Sequence, residues 1–358
     1  MQPELRTQHP TRHPNPTVKA SGLAHLIFER PDLDLAERFL TDFGLVVAHK
    51  SSGIVYMRGT GPAPYCYRVH WAPRARFVGF GLCVATEADL IKVSRLPGAS
   101  PIESCQEPGG GRRTRLTDPS GFVVEVVFGR AEASVLERRL PLTLNDGATP
   151  KRVNVTQRPP AKPSEIIKLG HIVLEVSEYQ KTCEWYTKIF GFIPSDVQVL
   201  PDGSPLVTFM RLDLGDQAAD HHTLAIAQGF TPGYSHSAFE VVDADAVGMG
   251  QRILRDHGWK HAWGIGRHIL GSQLFDYWQD PWDDKHEHYC DGDLFTSGEK
   301  MGVEWASPDA MAQWGQRMPA SFNRPKLTKE NFLGLFHSLR HSPDVTLKKL
   351  VMIAKLFG

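Results

Sequence analysis

Sixteen histidines, several adjacent to one another or to acids, are the groups in this sequence best equipped for chemistry. The densest run begins at Gly266-Arg267-His268, continues through Phe275-Asp276-Tyr277-Trp278, and ends after Asp280-Pro281 in His286-Glu287-His288-Tyr289. A carboxylate between two imidazoles is a donor set for a metal or an acid–base pair. The run reads as a strand hairpin, however, and strand residues alternate faces. Glu287 therefore points opposite to His286 and His288, and Glu287 is taken as the residue that faces a cavity. Two further histidines start strand-like stretches upstream, His171 in residues 169–174 and His236 in residues 236–241. Two neutral imidazoles and one carboxylate on one side of a metal leave three neighbouring positions open, an arrangement associated with non-haem Fe(II) that activates O2.

The elements that must position these groups repeat along the chain. Residues 23–28 read as a strand, and Leu35, Ala36, Phe39, Leu40 and Phe43 have helical spacing that ends at Gly44. Residues 170–174 and the helical stretch ending at Phe190-Gly191 restate this plan, with histidine-to-glycine separations of 19 (His25 to Gly44) and 20 (His171 to Gly191). Ser177 with Gln180 fits a capping box ahead of the second helix. Asp118-Pro119 with Glu125 corresponds to Asp280-Pro281 with Glu287, each glutamate standing seven residues after its aspartate. The aligned positions of the first half are His25, Gly79 and Glu125; the middle ligand is missing, so that half should not bind the same metal.

The expected architecture is α+β: tandem βαβββ modules forming two curved mixed-sheet domains, with a helical C-terminal tail. We divide the chain into a disordered arm (1–20), a first module that binds no metal (21–140), a proline-rich linker (141–164), a catalytic second module (165–292) and the tail (293–358). Phe332, Leu335, Phe336 and Leu339 give one tail helix, and Leu347, Leu350, Val351 and Ala354 a second, both expected to pack on the body or on a second subunit. Forty basic residues balance 40 acidic ones, which leaves no field to gather nucleic acid. No apolar run approaches the roughly 18–20 residues of a membrane span, and the N-terminus is polar rather than signal-like. A cytoplasmic protein without membrane or nucleic-acid partners is expected. The five cysteines are scattered and form no C-x-x-C pair, so neither a disulfide framework nor a zinc knuckle is expected.

From about residue 22 to residue 292 the chain resembles a two-module type I extradiol ring-cleavage dioxygenase of the vicinal oxygen chelate (glyoxalase–bleomycin-resistance–dioxygenase) superfamily. The matching segments are Leu169-Gly170-His171-Ile172-Val173-Leu174, His221-His222-Thr223-Leu224, Tyr234-Ser235-His236, Gly266-Arg267-His268 and Phe275-Asp276-Tyr277-Trp278 with Asp280-Pro281 and Glu287. Their separations, 14 from His222 to His236, 9 from His268 to Tyr277 and 10 from Tyr277 to Glu287, make the set specific.

The resemblance implies that His171, His236 and Glu287 hold Fe(II), with Mn(II) as the other candidate metal. It implies a second-sphere acid–base role for His222, a hydrogen bond from Tyr277 to a substrate oxygen, and a place for His268 beside the substrate hydroxyl. Arg267 is then only a charged neighbour, and His221, next to His222 on a strand, faces away. The implied reaction is cleavage of a substituted catechol with O2 to a hydroxymuconic semialdehyde-type product in aromatic catabolism, by a homo-oligomer. A hydroquinone or trihydroxybenzene substrate, a glyoxalase-like lyase, and a non-catalytic module that binds an aromatic ligand are the alternatives. The polar turn at Trp282-Asp283-Asp284-Lys285 departs from the family pattern, and Phe192, Trp263, Trp278 and Trp282 are candidate pocket aromatics.

Overall fold

The computed structural model describes residues 3–6, 9–307, 311–322 and 329–357. The strand Ala20–Arg30 pairs in parallel with Tyr67–Trp71 and antiparallel with Arg76–Val84, which in turn runs parallel to Val123–Phe128. The second half has the same arrangement: Ile166–Val176 lies between Leu224–Gln228 (parallel) and Gly233–Val241 (antiparallel), and the latter pairs in parallel with Lys285–Cys290. Helices Leu33–Asp42 and Tyr179–Phe190 follow the two central strands. The first half builds an eight-stranded mixed sheet and the second a ten-stranded one, in agreement with the expected α+β architecture.

The ten-stranded sheet must be strongly curved. Its two edges are the strands Gly302–Trp305 and Trp314–Gly315, nine residues apart in sequence from Trp305 to Trp314. Nine extended residues reach at most about 32 Å, whereas ten flat strands at ~4.8 Å spacing would set the edges about 43 Å apart. Curvature brings the edges together.

The modules meet along an aromatic seam. Phe39 from the first helix and Phe43 at its C-cap, with Phe28 and Tyr67, pack against Phe239, Tyr234 and His286. His286 Nε2 lies 3.0 Å from the Tyr67 hydroxyl, and His288 donates to the Phe43 carbonyl at 2.6 Å while stacking on its ring. The buried Arg30 bridges the modules through Asp280 and Asp284 at 2.8 and 2.7 Å. Asp280 also accepts the backbone N–H groups of Trp282 and Asp284, which shapes the turn that departs from the family pattern.

Several local expectations are corrected. The described part of the 1–20 arm lies against the second module: His9 is buried beside Thr208, Arg12 and Lys19 pair with Asp213, and the Arg6 N–H reaches the Gly203 carbonyl. Proline-rich sequence lacks regular structure, but fixed partners order it here. The helix Tyr179–Phe190 has Glu178 at its N-cap without a side-chain cap, and its Gln180 N–H is taken by Asp344 from the tail. A distant carboxylate thus does the work expected of Ser177. In the tail, Phe332 and Phe336 are exposed, while the helix Leu347–Phe357 puts Met352, Ile353 and Leu356 against Leu200, Leu206 and Ala306. The stripe expected for that helix is not the one it buries, since Leu347 and Val351 are exposed.

Candidate metal centre

Cross-strand register assembles the centre. Ala238 lies opposite His171 on one side and Glu287 on the other, with His236 two positions along the same strand. Tyr277 lies directly opposite Glu287 across the hairpin. The nearest ligand atoms of His171, His236 and Glu287 all fall within 4.8 Å of one another. His171 Nε2 and His236 Nε2 stand 3.4 and 3.5 Å from Glu287 Oε2, and His268 Nε2 stands 3.6 Å from Oε1.

Glu287 is fully buried, and neither of its oxygens has a hydrogen-bond partner among the described residues. Burying a carboxylate without partners costs several kcal/mol, about 3–5 in measured cases where a buried partner is removed. Burial pushes the Glu287 carboxyl up, but His171 facing it outweighs that effect and holds it below the usual carboxylate range. Burial holds His236 well below the ordinary imidazole value, against the pull of Glu287. Two imidazoles and a carboxylate, all aimed at one point, are the donor set a divalent first-row cation requires.

The other expected residues gather around this point. The His222 ring lies 4.0 Å, centroid to centroid, from that of His171, and burial with His171 alongside keeps it neutral. His268 Nδ1 lies 2.7 Å from the Met311 carbonyl, which can only accept, so Nδ1 carries the proton. His268 Nε2 then accepts the Tyr277 O–H at 2.9 Å, leaving the phenol's lone pairs for another donor. Tyr277 is buried, which, with Glu287 nearby, raises its hydroxyl well above the usual value and keeps it protonated. Arg267 is tied to the Ser272 carbonyl and Asp291.

Of the candidate aromatics, Trp263 reaches the centre, stacked 5.6 Å from Tyr277. Trp278 packs against His261 and donates to Asp276, Trp282 lies under Arg30, and Phe192 belongs to the main core. Phe322 went unrecognised in the sequence. It stands edge-on to Tyr277 at 5.0 Å and beside Trp263 at 5.3 Å, on a segment with no periodic pattern to reveal it. His221 and His222 precede their strand rather than sit on it, so their rings do not alternate; the two Nδ1 atoms meet at 2.9 Å.

The first module shows what the same register does without the ligands. His25, Gly79 and Glu125 occupy the positions of His171, His236 and Glu287, and Arg115 that of Tyr277. A side chain at Gly79 would run into the Val123 carbonyl. Glu125 is satisfied by His25 at 3.0 Å, Arg68 at 2.9 Å and Arg115 at 3.1 Å, so fixed guanidinium groups supply the positive charge there.

This fold and this donor set define a class. Residues 168–283 match the Glyoxalase/Bleomycin resistance protein/Dioxygenase superfamily. The chain as a whole has the fold of an extradiol ring-cleaving dioxygenase from Brevibacterium fuscum, with a TM-score of 0.73 at 17% identity over 90% of this chain and 87% of that one. Its fold is equally that of the Mn(II)-bound glyoxalase from Novosphingobium aromaticivorans, with a TM-score of 0.72 at 21% identity over 87% of this chain and 96% of the other. In sequence it is similar to metapyrocatechase 2 of Cupriavidus necator, 28% identical over 335 residues that cover 89% of this chain and 96% of the relative.

Proposed function

We propose that this protein is a metal-dependent extradiol dioxygenase that opens the ring of a substituted catechol with O2 to a hydroxymuconic semialdehyde-type product. In this reading residues 165–292 form the catalytic module, residues 21–140 a module without metal, and His171, His236 and Glu287 hold Fe(II), with Mn(II) the other candidate. The observation that carries it is the partnerless, buried carboxylate of Glu287 facing two imidazoles, with a phenol and two further histidines around it. The sequence similarity to metapyrocatechase 2 supports the same reaction class.

When bound, the metal would supply Lewis acidity to adjacent ring oxygens and a path for electrons from ring to O2. The chain's own residues do the rest. His222, kept neutral, takes the proton of a substrate hydroxyl and returns it later, a contribution of about 10²–10⁴-fold. The Tyr277 oxygen, its own proton committed to His268, accepts a hydrogen bond from the substrate or an intermediate. Trp263 and Phe322 offer flat apolar surface beside Tyr277 and exclude water from the ring. A glyoxalase-like lyase that drew ligands from both modules would need donors where this chain has Gly79 and guanidinium-paired Glu125.

Anaerobically purified protein should contain about one Fe(II) per chain and take up O2 with one or more of a panel of catechols, hydroquinones and trihydroxybenzenes, giving a yellow ring-opened product. Iron-loaded protein that consumes no O2 with any of them would overturn the reading.

A further inference from the structure

Behind His222 stand two groups that the functional reading leaves unused. His221 Nδ1 is 2.9 Å from His222 Nδ1, and His221 Nε2 is 2.6 Å from Asp196 Oδ2. His221 is 1% exposed and held at both ends of its peptide, with its N–H on the Asp293 carbonyl at 2.9 Å and its own carbonyl accepting from Ser195 Oγ at 2.6 Å. Phe295 closes on the His221 ring at 5.4 Å and Phe209 on the His222 ring at 5.1 Å, so neither imidazole is free to turn. Asp196 takes its place because the neighbouring edge strand has Gly302 opposite it, where any Cβ would collide with the carboxylate.

The proton count in this row has one neutral solution. Two ring nitrogens in contact share a single proton, one donating and the other accepting. An ionised carboxylate only accepts, so His221 carries its proton on Nε2 and presents a lone pair at Nδ1. His222 must then be protonated at Nδ1. Its Nε2, which has no hydrogen-bond partner among the described residues, is left with a lone pair on the edge of the ring away from His221.

We infer that Asp196 and His221 are positioning residues that lock His222 in its Nδ1–H tautomer, so that a ready proton acceptor faces the substrate side of the metal centre. The inference rests on the acid–base role proposed for His222. A ring set this way takes a proton at Nε2 without turning or exchanging tautomers. Glutamine can replace His221 in kind, its amide oxygen accepting from His222 and its amide nitrogen donating to Asp196; leucine can do neither.

The test reads the tautomer directly. In the metal-free, full-length chain labelled with ¹⁵N-histidine, with the His222 signals assigned by loss in His222→Gln, the proton should sit on Nδ1 in the wild type and in His221→Gln, and move to Nε2 or average between the two in His221→Leu and Asp196→Leu. In the iron-loaded enzyme, His221→Leu should lower kcat on the diol about 10–100-fold, part of the general acid–base contribution, with KM and iron content near wild type, and His221→Gln should restore most of it. An Nε2–H tautomer in the wild type, an unchanged Nδ1–H in His221→Leu, or equal losses in the leucine and glutamine variants would overturn the inference. Failure of the functional reading would register separately, as absence of O2 uptake in the wild type whatever the tautomer.

Discussion

At the scale of single residues, the centre depends on a buried carboxylate whose oxygens have no hydrogen-bond partner among the described residues. Glu287→Gln should weaken metal binding by at least about 100-fold while leaving the melting temperature of the metal-free protein unchanged or higher, because it removes a buried charge rather than a satisfied pair. Metal analysis after desalting, together with calorimetry, checks both halves; a large loss of metal-free stability would contradict the account. His222→Phe should behave in the opposite way, keeping its iron and losing about 10²–10⁴-fold in turnover. Equal iron loss in the two variants would remove the division of roles between ligand and acid–base residue. Strand alternation in the sequence sufficed to separate Glu287 from His286 and His288, and the two histidines do lie on the other side, at the seam with the first module. The pairing of His221 with Asp196 could not be read that way, because alternation fails outside a strand and the carboxylate stands 25 residues upstream.

At the scale of elements, the two halves solve one geometric problem differently. Both carry a histidine and a glutamate in equivalent register, but in the first the glutamate is paired with arginines of the chain itself. Burial pushes the Glu125 carboxyl up, yet His25 and Arg68 prevail and hold it far below the usual range. Arg68→Ala, which leaves that buried carboxylate short of its partner, should destabilise the protein by about 3–5 kcal/mol without changing its metal content. Denaturant melts compared with metal analysis test this. The repeat itself was legible, since histidine, glycine and glutamate recur in the sequence at matched spacings. The edge strands Gly302–Trp305 and Trp314–Gly315 were not, because pairs of so few residues carry no period and form only where a curved sheet offers them an open edge. A cap provided from the tail, Asp344 on Gln180, is equally invisible to a local capping rule.

At the scale of the whole molecule, the modules are joined by buried groups whose charge states differ between folded and unfolded chain. Burial, with Arg30 alongside, pushes His286 down to about 3, and burial pushes His288 down to about 4. Unfolded histidines titrate near about 6.5, so between those values the unfolded chain binds more protons and stability falls as the pH falls. The contribution is complete above about pH 6.5, and roughly 2 kcal/mol per histidine should be gone by pH 5. Melting temperatures at constant ionic strength should therefore drop steadily from pH 7 to pH 5, with a flatter profile in His286→Gln; an unchanged melting temperature over that interval would refute the assignment. Because Arg30, His286 and His288 tie the modules together along an aromatic seam, unfolding should appear as one calorimetric transition rather than two. By itself the sequence determined the α+β repeat, the absent ligand in the first half, and the candidates His171, His236 and Glu287, since periodicity and spacing are local properties; His222, Tyr277 and His268 became candidates through the resemblance to extradiol dioxygenases. Only the tertiary structure decided what lies behind and over them, the Asp196–His221 row, the Met311 carbonyl and the Phe322 ring, because these come from segments far apart in the chain that the fold brings to the same centre.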